Sequence, residues 1–258
     1  MKQAAEGQKN TTEKKLNCEV HGEYWGFVMK INGKEIKGAC PACIEDERLN
    51  ELIEIAKGQK ARERIDIFNQ SCVPKRFLSC NFANYAPTCN KAEEIKALLG
   101  RYVQNFNKVM EQGTSFLFSG GTGTGKTTLA CAVLNNIMHR GYTGVYVSSL
   151  NYLSKIKRSW APNTVLSEDE LIEEYVKFDL LVIDELGKGV YSQKEKGIIF
   201  RLLDRRYEEN KPTIGISIHT EEKICKLVDT DALRRLATGG GGVLKFNWEN
   251  YEKTQKGF

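Results

Sequence analysis

The sequence predicts an α/β protein: a parallel sheet with helices on both faces, preceded by a small metal-bound hairpin. Three observations carry that expectation. Residues 115–128, SFLFSGGTGTGKTT, pass from an apolar strand through a glycine-rich turn into a helix-forming stretch. Phe178-Asp-Leu-Leu-Val-Ile-Asp184-Glu185 reads as a buried strand ending in two carboxylates. Cys18-Glu-Val-His21 and Cys40-Pro-Ala-Cys43 form two knuckles separated by 18 residues.

The chain of 258 residues has room for one medium domain and a small one. No apolar run approaches the ~20 residues needed to span a bilayer. The polar N-terminus, MKQAAEGQKNTTEKK, has no apolar core of the kind a secretory signal requires. The expectation is a cytoplasmic protein without membrane contact. Eight cysteines in that setting point to reduced thiols or metal ligands rather than disulfides. A net charge of +5 is compatible with nucleic-acid contact without requiring it. Four segments are expected: a disordered tail over 1–15, a zinc-binding module over 16–44, a connecting helix over 45–71 and the α/β domain over 72–258.

Between the knuckles, Tyr24, Gly26, Val28 and Lys30 alternate with Trp25, Phe27, Met29 and Ile31, and Asn32-Gly33 supplies a two-residue turn. Such a hairpin would bring Cys18, His21, Cys40 and Cys43 around one zinc ion. Four protein ligands leave no open position, so the site is expected to be structural. About 30 residues bury little core, and the metal would supply the folding energy. Cys72, Cys80 and Cys89 fit no knuckle spacing and are expected to be packed side chains. Residues 44–67 place Leu49, Leu52, Ile53 and Ala56 on one helical face. That face suits a partner surface or packing on its own domain equally well. Val73-Pro-Lys-Arg-Phe77 ends the helix, and Phe82, Tyr85 and Pro87 suggest an irregular strap.

From about residue 93 helices and strands alternate. A helix over 92–111 precedes the strand at 115–119, and another follows the glycine turn to about 139. A strand Gly144–Ser148, helices over 150–158 and 168–178, and the strand ending at Asp184-Glu185 come next. A helix over 193–208, a strand Thr213–Ile218, a short helix ending at Arg234-Arg235 and a strand Val243–Trp248 complete the pattern.

Gly120-x-x-x-x-Gly125-Lys126-Thr127 is the pattern of a phosphate-binding loop. Its glycines, Gly120, Gly121, Gly123 and Gly125, with Thr122, Thr124 and Thr128, let backbone N–H groups face phosphate oxygens at a helix N-terminus. Lys126 would reach the β and γ phosphates, and Thr127 would ligand magnesium. Asp184 would hold the same magnesium through water, and Glu185 would polarise the attacking water. The two halves together imply ATP hydrolysis. A polar side chain at the end of strand 213–218 would sense the γ-phosphate, and Ser217 and His219 both qualify.

Taken together, the chain resembles bacterial replicative-helicase loaders of the DnaC type, within the AAA+ superfamily. The resemblance covers 72–251. It rests on the phosphate loop, LLVIDELG at 180–187, Leu203-Asp-Arg-Arg206, Lys211-Pro-Thr213, and Phe246-Asn-Trp248 with Tyr251. It implies a loader acting on the hexameric replicative helicase and on single-stranded DNA, often phage- or prophage-encoded, with an N-terminal metal module contacting the helicase. It also implies self-association on nucleotide or helicase. Arg235 falls at the position of an arginine that completes a neighbouring subunit's site, and Trp160, flanked by Lys157 and Arg158, at a DNA-contacting aromatic. Two positions depart from the pattern. Ile218-His219 stands where an Asn is usual, and Asp231 where a second arginine is usual. Only ten residues follow the last expected strand, so no helical C-terminal lid is expected. The competing readings are a transposition-helper ATPase of the IstB type, a non-hydrolysing nucleotide-gated helicase adaptor or inhibitor, and a zinc-dependent nucleic-acid-binding protein with a secondary ATPase.

Overall fold

The structure, a computed structural model, describes residues 11–31, 34–49, 71–162, 164, 166–237 and 239–249. These fall into two compact units, 11–49 and 71–249. Residues 1–10, the Asn32-Gly33 turn, Leu52, Ile53 and Ala56 of the expected connecting helix, and Tyr251 lie outside the described residues.

The N-terminal unit is an antiparallel sheet of β1 (Thr11–Cys18), β2 (Gly22–Ile31) and β3 (Lys34–Lys37), in that order. The pairing of Ile31 with Lys34 leaves two residues for the β2–β3 turn, as the hairpin reading requires. β1 corrects the tail expectation: residues 11–15 pair with 25–29 instead of extending the polar tail. Their polar sequence conceals a strand because β2 supplies its hydrogen-bonding edge. Gly26 admits no side chain, since a Cβ there would meet Leu16 and the Tyr24 ring at 2.8 Å. Val28 is buried on the same face, while Trp25, Phe27 and Met29 are exposed on the other. Residues 41–49 form helix α1, so Cys43 stands on a helix rather than in a loop.

The larger unit is a five-stranded parallel sheet in the order β5-β6-β7-β4-β8. The strands are β4 (Phe116–Gly120), β5 (Gly144–Ser148), β6 (Leu180–Asp184), β7 (Thr213–Ser217) and β8 (Gly242–Phe246). Helices α2 (Asn90–Gln104), α3 (Phe106–Gln112) and α4 (Lys126–His139) cover one face. α5 (Ser149–Arg158), α6 (Glu168–Val176), α7 (Gln193–Glu208), α8 (Glu221–Leu227) and α9 (Thr230–Arg235) cover the other. β6 shows why its run is continuously apolar: Leu180 and Val182 pack under α4, Leu181 and Ile183 under α5–α7. The expected 92–111 helix is two helices. Asn105 breaks it with a non-helical backbone, its side-chain amide donating to Arg101 O at 2.9 Å.

Residues 71–89 strap the α4 face. The Tyr146 N–H donates to Ser71 O at 2.7 Å, beside the β5 edge. A short 3-10 turn, Lys75–Phe77, is held where Asn135 on α4 donates to Phe77, Leu78 and Cys80 carbonyls at 2.9–3.1 Å.

Candidate functional site

Site residues gather at the C-terminal ends of β4, β6 and β7, where open α/β sheets bind ligands. β4 ends at Gly120, whose φ is 152° and where a Cβ would lie 2.1 Å from Phe246 O. Only glycine lets β8 approach the loop so closely. Gly125 caps α4 in the left-handed region over the Tyr85 ring. Beyond β8, Trp248 Nε1 donates to Thr124 O at 3.1 Å, pinning the loop from a position 124 residues away.

Thr122, Gly123, Thr124, Gly125, Lys126, Thr127 and Thr128 line a cavity of about 510 Å3, together with Asp184 and Glu185. Gly120 and Gly121 do not line it; their carbonyls accept the Lys126 ammonium instead. Burial pulls Lys126 down to about 8, against a smaller raising pull from Asp184. Thr127 Oγ1 donates to Asp184 Oδ2 at 2.9 Å, so the two residues expected to share magnesium are in contact. The Glu185 carboxylate pairs with Lys188. These are the donors a magnesium–nucleotide complex needs: a hydroxyl and a carboxylate for the hard cation, and a lysine with helix-terminal N–H groups for phosphates.

The sequence reading missed several cavity residues. Tyr146 on β5 donates to Asp184 Oδ2 at 2.9 Å. Its signal was present, since β5 pairs with β6 and residues two apart share a face, but using it required the strand order. Arg76 and Phe77 of the strap also line the cavity, the guanidinium 4.4 Å from the ring centre. Neither sensor candidate does. Ser217 Oγ donates to Leu186 O at 2.6 Å, and His219 Nε2 lies 3.2 Å from Gly187 O. Ile216 and Ile218 occupy that side.

Arg235 stands apart from the cavity. Its Nε lies 2.8 Å from Asp204 Oδ1, and its guanidinium sits 4.3 Å over the Tyr207 ring. Lys157 is paired with Glu195 at 2.6 Å; that pairing and the Ser192 capping bonds hold Glu195 down at about 2. Arg158 ends α5. Trp160 is half exposed: its Nε1 donates to Glu168 at 2.7 Å, and the Lys194 ammonium lies 3.4 Å from its ring centre.

In the N-terminal unit, the ligand atoms of Cys18, His21, Cys40 and Cys43 all lie within 4.8 Å of one another. Cys18 and Cys43 sulfurs are 3.5 Å apart, and His21 Nδ1 is 3.3–3.9 Å from the three sulfurs. A tetrahedron with metal–sulfur bonds of ~2.3 Å has edges of about 3.8 Å, so the spacing fits zinc. His21 Nε2 faces Asp46 Oδ2 at 2.9 Å, an arrangement that orients a histidine ligand. N–H groups of His21 and Val20 lower Cys18 to about 6, toward the thiolate a metal needs.

Fold and cavity together define an AAA+ nucleotide-binding domain. Residues 93–229 match the IstB-like ATP binding proteins, and the chain belongs to that family. It is 32% identical over 190 residues to the replicative helicase loader DnaC of Escherichia coli (strain K12), covering 74% of this chain and 76% of the relative. It is 31% identical over 199 residues to DnaC of Buchnera aphidicola subsp. Baizongia pistaciae, covering 77% and 80%. In fold it is similar to the crystal structure of the DnaC helicase loader, with a TM-score of 0.60, 21% identity and coverage of 67% of this chain and 99% of that one. The replication initiator DnaA bound to AMPPCP and single-stranded DNA gives a TM-score of 0.58 at 19% identity, over 72% and 56%. No described helix is long and apolar enough to cross a membrane.

Proposed function

We propose that this chain is an ATP-hydrolysing loader of a replicative helicase, acting in the cytoplasm as an assembly of several copies. The observation that carries this reading is its identity to replicative helicase loaders across three quarters of both chains. Geometry supports hydrolysis. Thr127 and Asp184 would hold magnesium, which would supply positive charge to offset that of the phosphates. Glu185 takes a proton from water as the water oxygen bonds to the γ phosphorus; the bond to the β-phosphate oxygen breaks, leaving ADP and phosphate. Lys126 binds the departing charge, and Arg235 of an adjacent copy would complete the site.

The proposed organisation is a zinc module on Cys18, His21, Cys40 and Cys43 for helicase contact, followed by the ATPase domain. Lys157, Arg158 and Trp160 are the proposed contact for single-stranded DNA, with the ring stacking on a base. That contact must displace the Lys157–Glu195 pair.

A nucleotide-gated adaptor is the second reading, favoured by the apolar Ile216 and Ile218 where a polar sensor is usual. ATP turnover with and without single-stranded DNA, beside Glu185→Gln, separates the two. DNA-stimulated turnover lost in the variant supports the loader; tight ATP binding without turnover supports the adaptor. Co-purification with helicase but not with a transposase then sets the loader apart from an IstB-type transposition helper.

A further inference from the structure

Regular strand geometry cannot bring both Asp184, the last residue of β6, and Glu185 after it to the cavity. Side chains alternate along a strand, so with Asp184 on the α4 side, residue 185 would point toward α5–α7. Yet Glu185 lines the cavity beside Asp184. The backbone achieves this by turning at Glu185, whose φ of 59° lies in the left-handed region. A side chain other than glycine stays there only when its surroundings over-determine it.

Those surroundings include the Asp184 carboxylate, which accepts the Glu185 N–H at 2.6 Å, the Lys188 N–H, which donates to Glu185 O at 3.0 Å, and a buried hydrogen-bond relay that does not line the cavity. Ser149 Oγ, at the start of α5, donates to Glu185 O at 2.9 Å. Tyr191 OH donates to Ser149 Oγ at 2.7 Å and accepts the Gly187 N–H at 3.1 Å. Ser149 is fully buried and Tyr191 is 5% exposed. Each hydroxyl is thus committed to the turn 185–187, one fixing its carbonyl and the other its N–H.

We propose that Ser149 and Tyr191 are positioning residues for ATP hydrolysis, holding the left-handed turn that swings the Glu185 carboxylate to the side of the sheet where Asp184 stands. Neither lines the cavity, so each acts on turnover through the turn that carries Glu185. The inference rests on the ATPase reading above.

The test uses full-length Tyr191→Phe and Ser149→Ala proteins. Turnover is expected to fall on the order of 10- to 100-fold, the scale of a misplaced reacting group, while the ATP dissociation constant stays within about twofold. In a Glu185→Gln background, Tyr191→Phe is expected to cost nothing further in residual turnover. A merely structural role would weaken ATP binding and act equally in both backgrounds, and either result overturns the proposal. Absence of turnover in the unaltered protein would instead refute the ATPase reading. The geometry then stands or falls on a crystal structure of the Ser149→Ala/Tyr191→Phe protein with a non-hydrolysable ATP analogue. A negative φ at residue 185 with its carboxylate out of the cavity supports the proposal, and a φ still near 59° overturns it.

Discussion

Replacing Arg206 with Met tests how the α5–α9 layer is bolted to the sheet. Arg206 is fully buried in α7, its guanidinium directed at backbone carbonyls and one hydroxyl. It donates to Tyr175 O at 2.7 Å, Val176 O at 3.2 Å, Phe178 O at 2.9 Å, Pro212 O at 2.6 Å and Thr213 Oγ1 at 2.9 Å, joining the end of α6 to the starts of β6 and β7. Met fills similar volume and donates nothing. Five buried acceptors left without this donor cost roughly 1–3 kcal/mol each, or about 10 kcal/mol at the midpoint. Against this, the variant escapes burying a charge. Burial pulls Arg206 down to about 9, which sets that relief at roughly 5 kcal/mol. The net loss is about 5 kcal/mol, and at ~2–4 °C per kcal/mol for a domain of this size the melting temperature should fall by roughly 10–20 °C. Calorimetry of the full chain with saturating ATP reads this transition. A fall of less than about 2 °C would refute the reasoning, showing that the carbonyls find other partners.

Three further outcomes follow from the site. Burial lowers Lys126 to about 8, and phosphate binding should raise it again. A raised bound-state value means that the lysine's contribution to ATP affinity is fully present below pH 8 and is lost as pH rises through the bound-state value. Calorimetric titrations at pH 9 in buffers of different ionisation enthalpy should therefore show proton uptake that is absent at pH 6.5. Gly120→Ala, placing a Cβ 2.1 Å from Phe246 O, should abolish ATP binding in equilibrium dialysis, whereas Gly100→Ala, with nothing within 4 Å, should leave it intact. Asp46→Ala, which keeps all four ligands but frees His21 Nε2, should weaken zinc binding by about 10- to 100-fold in competition with a chromogenic chelator.

Much of the site was legible because its chemistry is local. The glycines, Lys126 and Thr127 occupy one turn, and Asp184-Glu185 end one strand, so spacing alone placed them. What stayed hidden depends on residues distant in sequence. Trp248 reaches Thr124, and Tyr146 reaches Asp184, only once the strand order is known. Residues 11–15 read as tail because their polar composition says nothing of the β2 edge that pairs with them. The break at Asn105 depends on one side-chain bond inside an otherwise continuous helical pattern. Ser217 and His219 had suitable chemistry, but both are spent on the backbone of the β6–α7 loop.

The pairing of β4 with β8 also orders events on the ribosome. β4 ends at Gly120, but its outer neighbour ends at Phe246, and Trp248 follows. At ~5–20 residues per second, the nascent phosphate loop waits on the order of 10 s for its second flank. During that interval β4 presents an open, apolar edge, and the loop lacks the indole that pins Thr124. β4 therefore gains its outer flank, and Thr124 its indole partner, only after nearly the whole chain has been made, so the edge of the central strand stays unpaired on that side through most of synthesis.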